Sequence, residues 1–311
     1  MGFIVQETRL NVPLHVTGHG LELVMGLTRV LARAAPSRIR GRLARSSLLA
    51  RLRFLGTTYQ CPMCRSRLRS FKPLPLTVEN PDPYWGHMNV PTKEYGICPV
   101  CGSETRHRLY WEFLKRRSDF FDGKPKRVLH IAPERCLWEH FRRVPELDYL
   151  TVDLDATKPT VMTAMDITDI EFADDTFNVI VCSHVLEHVL DDRRAMHEIC
   201  RVLRPDGWAL LQVPITAPVT FEDPSVTEPS ERLRLFGQRD HVRRYGPDYV
   251  DRLKESGFRV DVLNAIDVLE TRANGLRMGV HDLEQVFVCR KDCVSPIGSS
   301  GPERAAEVAS G

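Results

Sequence analysis

The sequence predicts an α/β fold, a doubly wound sheet with a small cysteine-bearing module before it, and three observations predict it. Between Arg127 and Pro214, short apolar runs ending in acidic or small residues alternate with stretches long enough for a helix, the order expected of a parallel sheet with crossover helices. Two Cys-Pro-x-Cys units, Cys61-Pro-Met-Cys64 and Cys98-Pro-Val-Cys101, precede that region. The chain has 311 residues, 42% hydrophobic and 27% charged, enough to bury a sizeable core without disulfides.

The expected strands are Arg127-Val-Leu-His-Ile131, Tyr149-Leu-Thr-Val-Asp153, Val161-Met-Thr-Ala-Met165, Phe177-Asn-Val-Ile-Val-Cys182 and Trp208-Ala-Leu-Leu-Gln-Val213. A helix over 104–115 leads into them. After the fifth strand, residues 214–238 are rich in Pro and Glu and read as a long irregular loop over the site, since long loops in compact domains are often functional. A helix over 246–256 and closing strands over 258–263 and 284–290 complete the domain. The organisation is a basic, partly helical segment over 1–55, a cysteine module with its connecting helix over 56–118, the main domain over 119–291, and a flexible tail over 292–311. Tyr110, Trp111, Phe113 and Leu114 are expected to bury the connecting helix, and Trp138 and Phe141 the helix after the first strand.

In an open parallel sheet the ligand lies beyond the carboxyl ends of the strands. His130 to Glu134, Asp153, Asp166 and Cys182 to His184 should therefore meet in one crevice. Asp153 suits a ribose, because a carboxylate only accepts and a diol offers two donors; a cap on the following turn is the plainer alternative. No glycine occurs between Gly123 and Gly207. A phosphate cradle needs glycine so that backbone amides can approach the anion, so a dinucleotide is the ligand this loop fits least.

Val-Leu-His-Ile-Ala-Pro-Glu at 128–134, Thr-Val-Asp-Leu at 151–154, the stretch 177–189 and Leu203-Arg-Pro-Asp-Gly207 resemble the motifs of class I S-adenosylmethionine-dependent methyltransferases, over roughly 127–291. The chain is most similar to bacterial members that join this Rossmann-like methyltransferase sheet to an N-terminal pair of cysteine knuckles and carry a His-Val-Arg-x-Tyr-Gly segment. The resemblance implies S-adenosylmethionine as cofactor. It implies His130, Ala132, Pro133 and Glu134 as the first cofactor loop, with Asp153 and Leu154 beside the ribose. Asp166 and Ile167 would then lie at the adenine, and Ser183 and His184 at the rim of the site. The cofactor has a sulfonium and an amino-acid head and no phosphate, which accords with the missing glycines.

Cys61, Cys64, Cys98 and Cys101 present four thiolates, a set that suits zinc. Four protein ligands leave no open position, so the role would be structural. The 33 residues between Cys64 and Cys98 exceed the usual ribbon interval and must hold the aromatic, proline-rich loop around 81–85. Cys136, Cys182, Cys200, Cys289 and Cys293 read as small buried hydrophobes or tail residues.

His184-Val-Leu-Glu187-His188 matches the inverted zinc-protease pattern His-x-x-Glu-His. On a helix the three would share a face, but the position after the fourth strand and the absence of a later ligand helix argue against hydrolysis. Some methyltransferases of small-RNA ends and of ubiquinone precursors carry Glu-x-x-Glu-His here and bind a divalent ion; His184 replaces the first Glu, and capping of the loop by Glu187 and His188 is the favoured reading. His241, in Asp240-His-Val-Arg-Arg-Tyr245, is the candidate base for a hydroxyl acceptor, because imidazole titrates near working pH. Asp240 or Glu187 would fix its tautomer. His184 is the second catalytic candidate.

No acidic residue occurs from Leu23 to Val78, where arginines cluster from Arg29 to Arg69. That segment would suit RNA phosphates or an anionic membrane surface, and equally packing on the main domain. A run of eighteen apolar residues and a secretory signal are both lacking, so the expected compartment is the cytoplasm. The acceptor expected first is a small-molecule or glycan hydroxyl. The alternatives are an RNA, since a ribosomal-RNA guanine methyltransferase family also joins knuckles to this domain, and a non-catalytic zinc-binding scaffold. Nothing in the sequence sets the oligomeric state.

Overall fold

The structure is a computed structural model and describes residues 47–73 and 95–292. Most of the arginine-rich segment, the loop around 81–85 and the tail with Cys293 lie outside the described residues.

Helix α1 (Ser47–Phe54) runs into β1 (Leu55–Gln60), which pairs antiparallel with β2 (Arg67–Leu68). Helix α2 (Thr105–Arg116) follows the second cysteine pair. The main domain then runs β3 (Lys126–Ile131), α3 (Arg135–Phe141), β4 (Leu147–Asp153), β5 (Thr163–Ala164), β6 (Phe177–Ser183), α4 (Asp192–Val202) and β7 (Leu203–Gln212). It ends with β8 (Phe221–Glu222), α5 (Pro229–Phe236), β9 (Arg243–Arg244), α6 (Tyr249–Glu255), β10 (Phe258–Asn264), α7 (Ala265–Leu269), α8 (Arg272–Met278) and β11 (Gln285–Lys291). The central sheet has the order β10-β11-β7-β6-β3-β4-β5. Strands β7 to β5 in that order are parallel, and β11 and β10 are antiparallel additions at one edge.

Alternation along the strands sends side chains to two separate apolar layers. Leu129, Ile180, Cys182 and Leu211 join a cluster with Met196 and Ile199 of α4 and Tyr249 and Leu253 of α6. Val128, Val179, Val181 and Leu210 join the other, with Leu109, Phe113 and Leu114 of α2 and Phe141 of α3. Both faces are thus covered, as a parallel sheet requires. Cys61, Leu68 and Phe71 lie in that second cluster, so α2 and the knuckles pack as part of the layer rather than as a spacer. Tyr110, Phe113, Leu114 and Phe141 are buried as expected, whereas Trp111 and Trp138 stay half-exposed. Trp111 meets Phe121 edge to face and lies tilted against His140, and Arg142 lies over Trp138.

The chain reverses its winding between β3 and β6, and this is the switch point at which such sheets open a crevice. Gly207 lies inside β7 beside a register break; a Cβ there would meet the Asn178 carbonyl at 2.6 Å. The expected irregular loop over 214–238 needs correction. It contains β8, paired with β9 through Phe221 opposite Arg244, and α5, begun by Pro229 and ended by Gly237 in a left-handed conformation. Pro at a first turn and Gly just past the end are ordinary helix boundaries. The Asp248 carboxylate also accepts from the Thr220 amide and hydroxyl at 2.7 and 2.9 Å, which fastens the segment to the start of α6.

Candidate functional site

The four cysteines of the module converge. Their sulfurs all lie within 4.8 Å of one another, with Cys61 to Cys101 and Cys64 to Cys98 each at 3.7 Å. The edge of a tetrahedron with zinc–sulfur bonds of about 2.3 Å is ~3.8 Å, so the spacing fits that ion. The two knuckles repeat one another in detail. Arg65 and Gly102 both adopt positive φ and donate their amides back to Cys61 and Cys98, and Ser66 and Ser103 set their hydroxyls beside Cys64 and Cys101.

The loop after β3 is shaped by side chains rather than by glycines. Ala132 takes φ 47 and its amide goes to the Val152 carbonyl at 2.7 Å, and Pro133 has no N–H to offer. His130, fully buried at the end of β3, faces Tyr149 Oη at 2.7 Å through Nδ1 and Glu134 Oε2 at 3.0 Å through Nε2. A carboxylate only accepts, so Nε2 carries the proton and Nδ1 accepts from the phenol. His107 of α2 comes from the other side. Its Nδ1 accepts from the Glu104 amide at 3.0 Å, which puts the proton on Nε2; Glu134 Oε1 lies 3.4 Å from that nitrogen, and neither atom closes a hydrogen bond. Burial alone would raise the Glu134 carboxyl, yet the two imidazoles hold it well below the usual carboxylate range.

Asp153 ends β4. Its Oδ1 accepts from the Asp155 amide at 2.9 Å and its Oδ2 from Lys158 at 2.6 Å, so it does cap the next turn while keeping lone pairs free. Leu154 beside it is largely exposed. Asp166, just past β5, accepts from both the amide and hydroxyl of Thr168 at 2.8 Å through Oδ1. Ile167 is buried next to it. Ser183 ends β6 with a buried Oγ that closes no protein hydrogen bond, and the Tyr110 phenol lies beside it. Glu134, Asp153, Asp166 and His184 thus follow the carboxyl ends of four neighbouring strands, β3, β4, β5 and β6.

The segment 184–188 forms a turn rather than a regular helix. His184 has φ 55, and only Leu186–His188 forms a single 3₁₀ turn. The side chains converge all the same. Glu187 and His241 are almost fully buried, at 1% and 2% exposure, and with His188 they bring ligand atoms within 4.8 Å of one another. His184 Nδ1 lies 3.3 Å from Glu187 Oε1, and the rings of His188 and His241 meet edge to face at 4.7 Å. Neither Asp240 nor Glu187 sets the His241 tautomer. Its Nδ1 faces the Phe236 carbonyl at 3.2 Å, so Nδ1 donates and the lone pair sits on Nε2. Asp240 turns to His188 instead, at 3.4 Å. Burial pushes the His241 pKa down, against the pull of the Glu187 charge. His241 Nε2 and both Glu187 oxygens find no hydrogen-bond partner, and buried unpaired groups of this kind are costly. The trio therefore offers a divalent cation three ligand atoms, one of them charged.

A family model described as a methyltransferase domain matches residues 103–263, just over half of the chain. The chain belongs to that methyltransferase family. Within the family, the chain is 40% identical over 72 residues to an uncharacterized methyltransferase, YcgJ, of Bacillus subtilis. That match covers 23% of this chain and 27% of the relative, so the chain spans about a quarter of the length of the curated relative it matches. The crystal structure of YcgJ superposes with a TM-score of 0.35 at 18% identity, covering 59% of this chain and 97% of that one. A Burkholderia thailandensis 1,6-didemethyltoxoflavin-N1-methyltransferase, solved with its substrate and S-adenosylhomocysteine, gives 0.37 at 15% identity, covering 59% and 77%.

Several residues at the crevice carry no family motif. Arg106 and His107 come from the first turn of α2, and Glu284 from the approach to β11; their neighbours include Glu134, Tyr110 and His184. The Arg106-His-Arg108 run at the start of a helix was the available signal. Arg243 belongs to the His-Val-Arg-x-Tyr-Gly segment, and its buried guanidinium binds the carbonyls of Leu186, Val189 and Leu190 and so holds the 3₁₀ turn in place.

Proposed function

We propose that the protein is an S-adenosylmethionine-dependent methyltransferase acting on a hydroxyl of a small molecule or glycan, with a structural zinc in its knuckles. What supports this reading is the position of Glu134, Asp153, Asp166 and His184 at the carboxyl ends of neighbouring parallel strands, beside a loop without a phosphate cradle. The donor set fits the cofactor. Asp153 receives the ribose diol with its unspent lone pairs, Asp166 and Ile167 hold the adenine amino group and one ring face, and Leu154 covers the nucleoside edge.

The acceptor end lies at Glu187, His188 and His241. These three would hold a divalent ion, whose charge would make a neighbouring acceptor hydroxyl easier to deprotonate. His241 acts there as a buried, neutral ligand through Nε2 rather than as the base. His184 is partly exposed and sets Nδ1 3.3 Å from the Glu187 carboxylate, so a proton on Nδ1 leaves the lone pair of Nε2 for the acceptor. As the acceptor proton passes to His184 Nε2, the hydroxyl oxygen takes the methyl carbon in line. The carbon–sulfur bond breaks with its electron pair on sulfur, leaving a neutral thioether.

Calorimetry with S-adenosylhomocysteine tests the cofactor part: Asp153→Ala should weaken binding roughly ten- to hundredfold, the loss expected for charged hydrogen bonds, and unchanged affinity removes the assignment. For the acceptor part, turnover on candidate glycans, hydroxylated metabolites and total RNA is compared before and after chelation and return of Mg²⁺ or Mn²⁺. Activity that survives chelation, or that Glu187→Gln leaves intact, overturns the cation reading. Methylation of RNA alone, lost on deletion of residues 1–46 in a salt-dependent way, overturns the small-molecule reading.

A further inference from the structure

Surface arginines of the main domain are paired with carboxylates: Arg127 with Asp148, Arg201 with Asp174 and Arg290 with Asp261. The cysteine module is different. Residues 47–73 hold five arginines, one lysine and no acidic residue. Arg51, Arg53, Arg65, Arg67, Arg69 and Lys72 are all exposed, with no ion pair among the described residues. The second knuckle, over 95–103, contains no Asp or Glu to neutralise them.

These charges form one continuous strip. Over 65–70 the odd-numbered residues are exposed, while Ser66 and Leu68 are buried and Ser70 is half-buried, so three arginines stand on one side of an extended chain. The Arg69 amide donates to Phe54 O at 2.8 Å, and Arg53 and Lys72 lie 5.8 and 5.9 Å from the centre of the Phe54 ring. At the other end Arg67 is opposite Gln60, whose Oε1 accepts from Arg277 of α8 at 3.4 Å. Next to Phe54 and Arg277 in the chain, Leu55 and Leu276 are exposed at 43% and 39%. The backbone of Lys72 pairs with Ile97 of the second knuckle, which Arg108 ties to the start of α2. There His107 comes within 3.4 Å of Glu134, so the module stands at the crevice end of the sheet.

Unneutralised cations held side by side repel one another, and a polyanion relieves that repulsion. An RNA acceptor would have to open its bases to reach the crevice, and proteins that hold opened bases stack them on exposed aromatic rings. The described part of the module offers none: Tyr59 packs on Phe71 at 5.4 Å, and Phe54 is taken by Arg53 and Lys72. Its exposed apolar side chain is a leucine. Arginine stems and leucines suit the headgroup layer of a bilayer, where the apolar parts reach the acyl boundary and the guanidinium stays at the phosphate. The chain leading into α1 continues the pattern, with six arginines from Arg29 to Arg45 and no acid after Glu22.

We propose that this face of the cysteine module docks on the anionic phospholipids of a bilayer, which sets the crevice beside the lipid surface. Docking of this kind depends on neither the cofactor nor the acceptor assigned above. Flotation of the full chain with vesicles tests it. Wild type should float with mixed phosphatidylcholine and phosphatidylglycerol at low salt, far less at high salt, and not with phosphatidylcholine alone. The strip variant, Arg67→Gln with Arg69→Gln and Lys72→Gln, should partition roughly a hundredfold more weakly, about fivefold for each charge. A control, Arg193→Gln with Arg204→Gln and Arg259→Gln, removes the same charge from α4, β7 and β10 and should float as wild type does. Melting temperatures of both variants report that they are folded. Wild type that ignores phosphatidylglycerol overturns the proposal, as does a control weakened as much as the strip variant. Wild type that retains total RNA on a filter but binds no vesicle also overturns it, and makes the strip a nucleic-acid surface.

Discussion

Val242 donates its backbone N–H to the Glu187 carbonyl at 2.9 Å, and this one bond sets His241 against a turn more than fifty residues earlier in the chain. Arg243, next along, does the rest. Its Nη groups bind the carbonyls of Leu186 and Leu190 at 2.8 Å and that of Val189, and its Nε binds Glu222 at 2.8 Å. At 3% exposure the guanidinium is the only donor to the Val189 and Leu190 carbonyls among the described residues, while Leu186 O also accepts from the Val189 amide and Tyr245 Oη, so removing it strands two carbonyls away from water.

Arg243→Gln should therefore lower stability by about 3 kcal/mol, the scale for breaking a buried ionic pair. Arg243→Lys should restore only part, because an ammonium cannot span three carbonyls and a carboxylate at once. Urea unfolding of the three proteins checks this. A midpoint for Arg243→Gln equal to that of wild type would show that the carbonyls find water.

Much of this was legible in the sequence, and the reasons differ by element. Strands β3 and β6 stand out because both faces are buried along most of their length, which leaves nearly continuous apolar runs. The cysteine knuckles stand out because four thiols at that spacing have few other uses. Helices α7 and α8 went unread: at five and seven residues they are too short for periodicity to register. Their boundaries were nevertheless written in Asn264 with Asp267, in Thr271, and in Gly279 at positive φ. The tautomer of His241 was beyond reach, because the group that sets it is the backbone carbonyl of Phe236 and not a side chain.

Glu222 gives a pH signature. Burial alone would raise its carboxyl, but Arg252 and Arg243 hold it down, from an ordinary value of 4.5 to about 2. A carboxyl whose pKa is depressed by folding contributes stability above its unfolded value and loses that contribution as pH falls through the folded one. The stability gap between wild type and Glu222→Gln should be full at pH 7, begin to close below about pH 4.5 and vanish near pH 2. Because the side chain is 36% exposed, solvent screening keeps the gap modest, on the order of 1 kcal/mol. A gap that is constant across this range would assign the effect of the mutation to packing alone.

The last expectation separates metal binding from the scaffold around it. Arg108 is wholly buried, with its guanidinium 4.2 Å from the Phe71 ring centre. It donates to Ser103 O at 2.7 Å, to Gly96 O at 3.0 Å, to Tyr95 O at 3.2 Å and to the carbonyl of Gly279. It so ties the second knuckle to the end of α8. With the zinc proposed above, the four thiolates would carry a net charge of −2, and the Arg108 charge acts on Cys61, Cys98 and Cys101. Arg108→Met keeps the volume and all four sulfurs but leaves the carbonyls unpaired. It should cost about 3 kcal/mol, or roughly 6–12 °C in melting temperature for a domain of this size, while zinc stays near one per chain. Cys98→Ser should lose both the zinc and the stability, since a metal ligand closes the loop between the knuckles. Atomic emission and thermal melts on the same samples read the two outcomes separately. If Arg108→Met loses its zinc along with its stability, the guanidinium is needed to hold the charge of the cluster and not merely to join two pieces of chain.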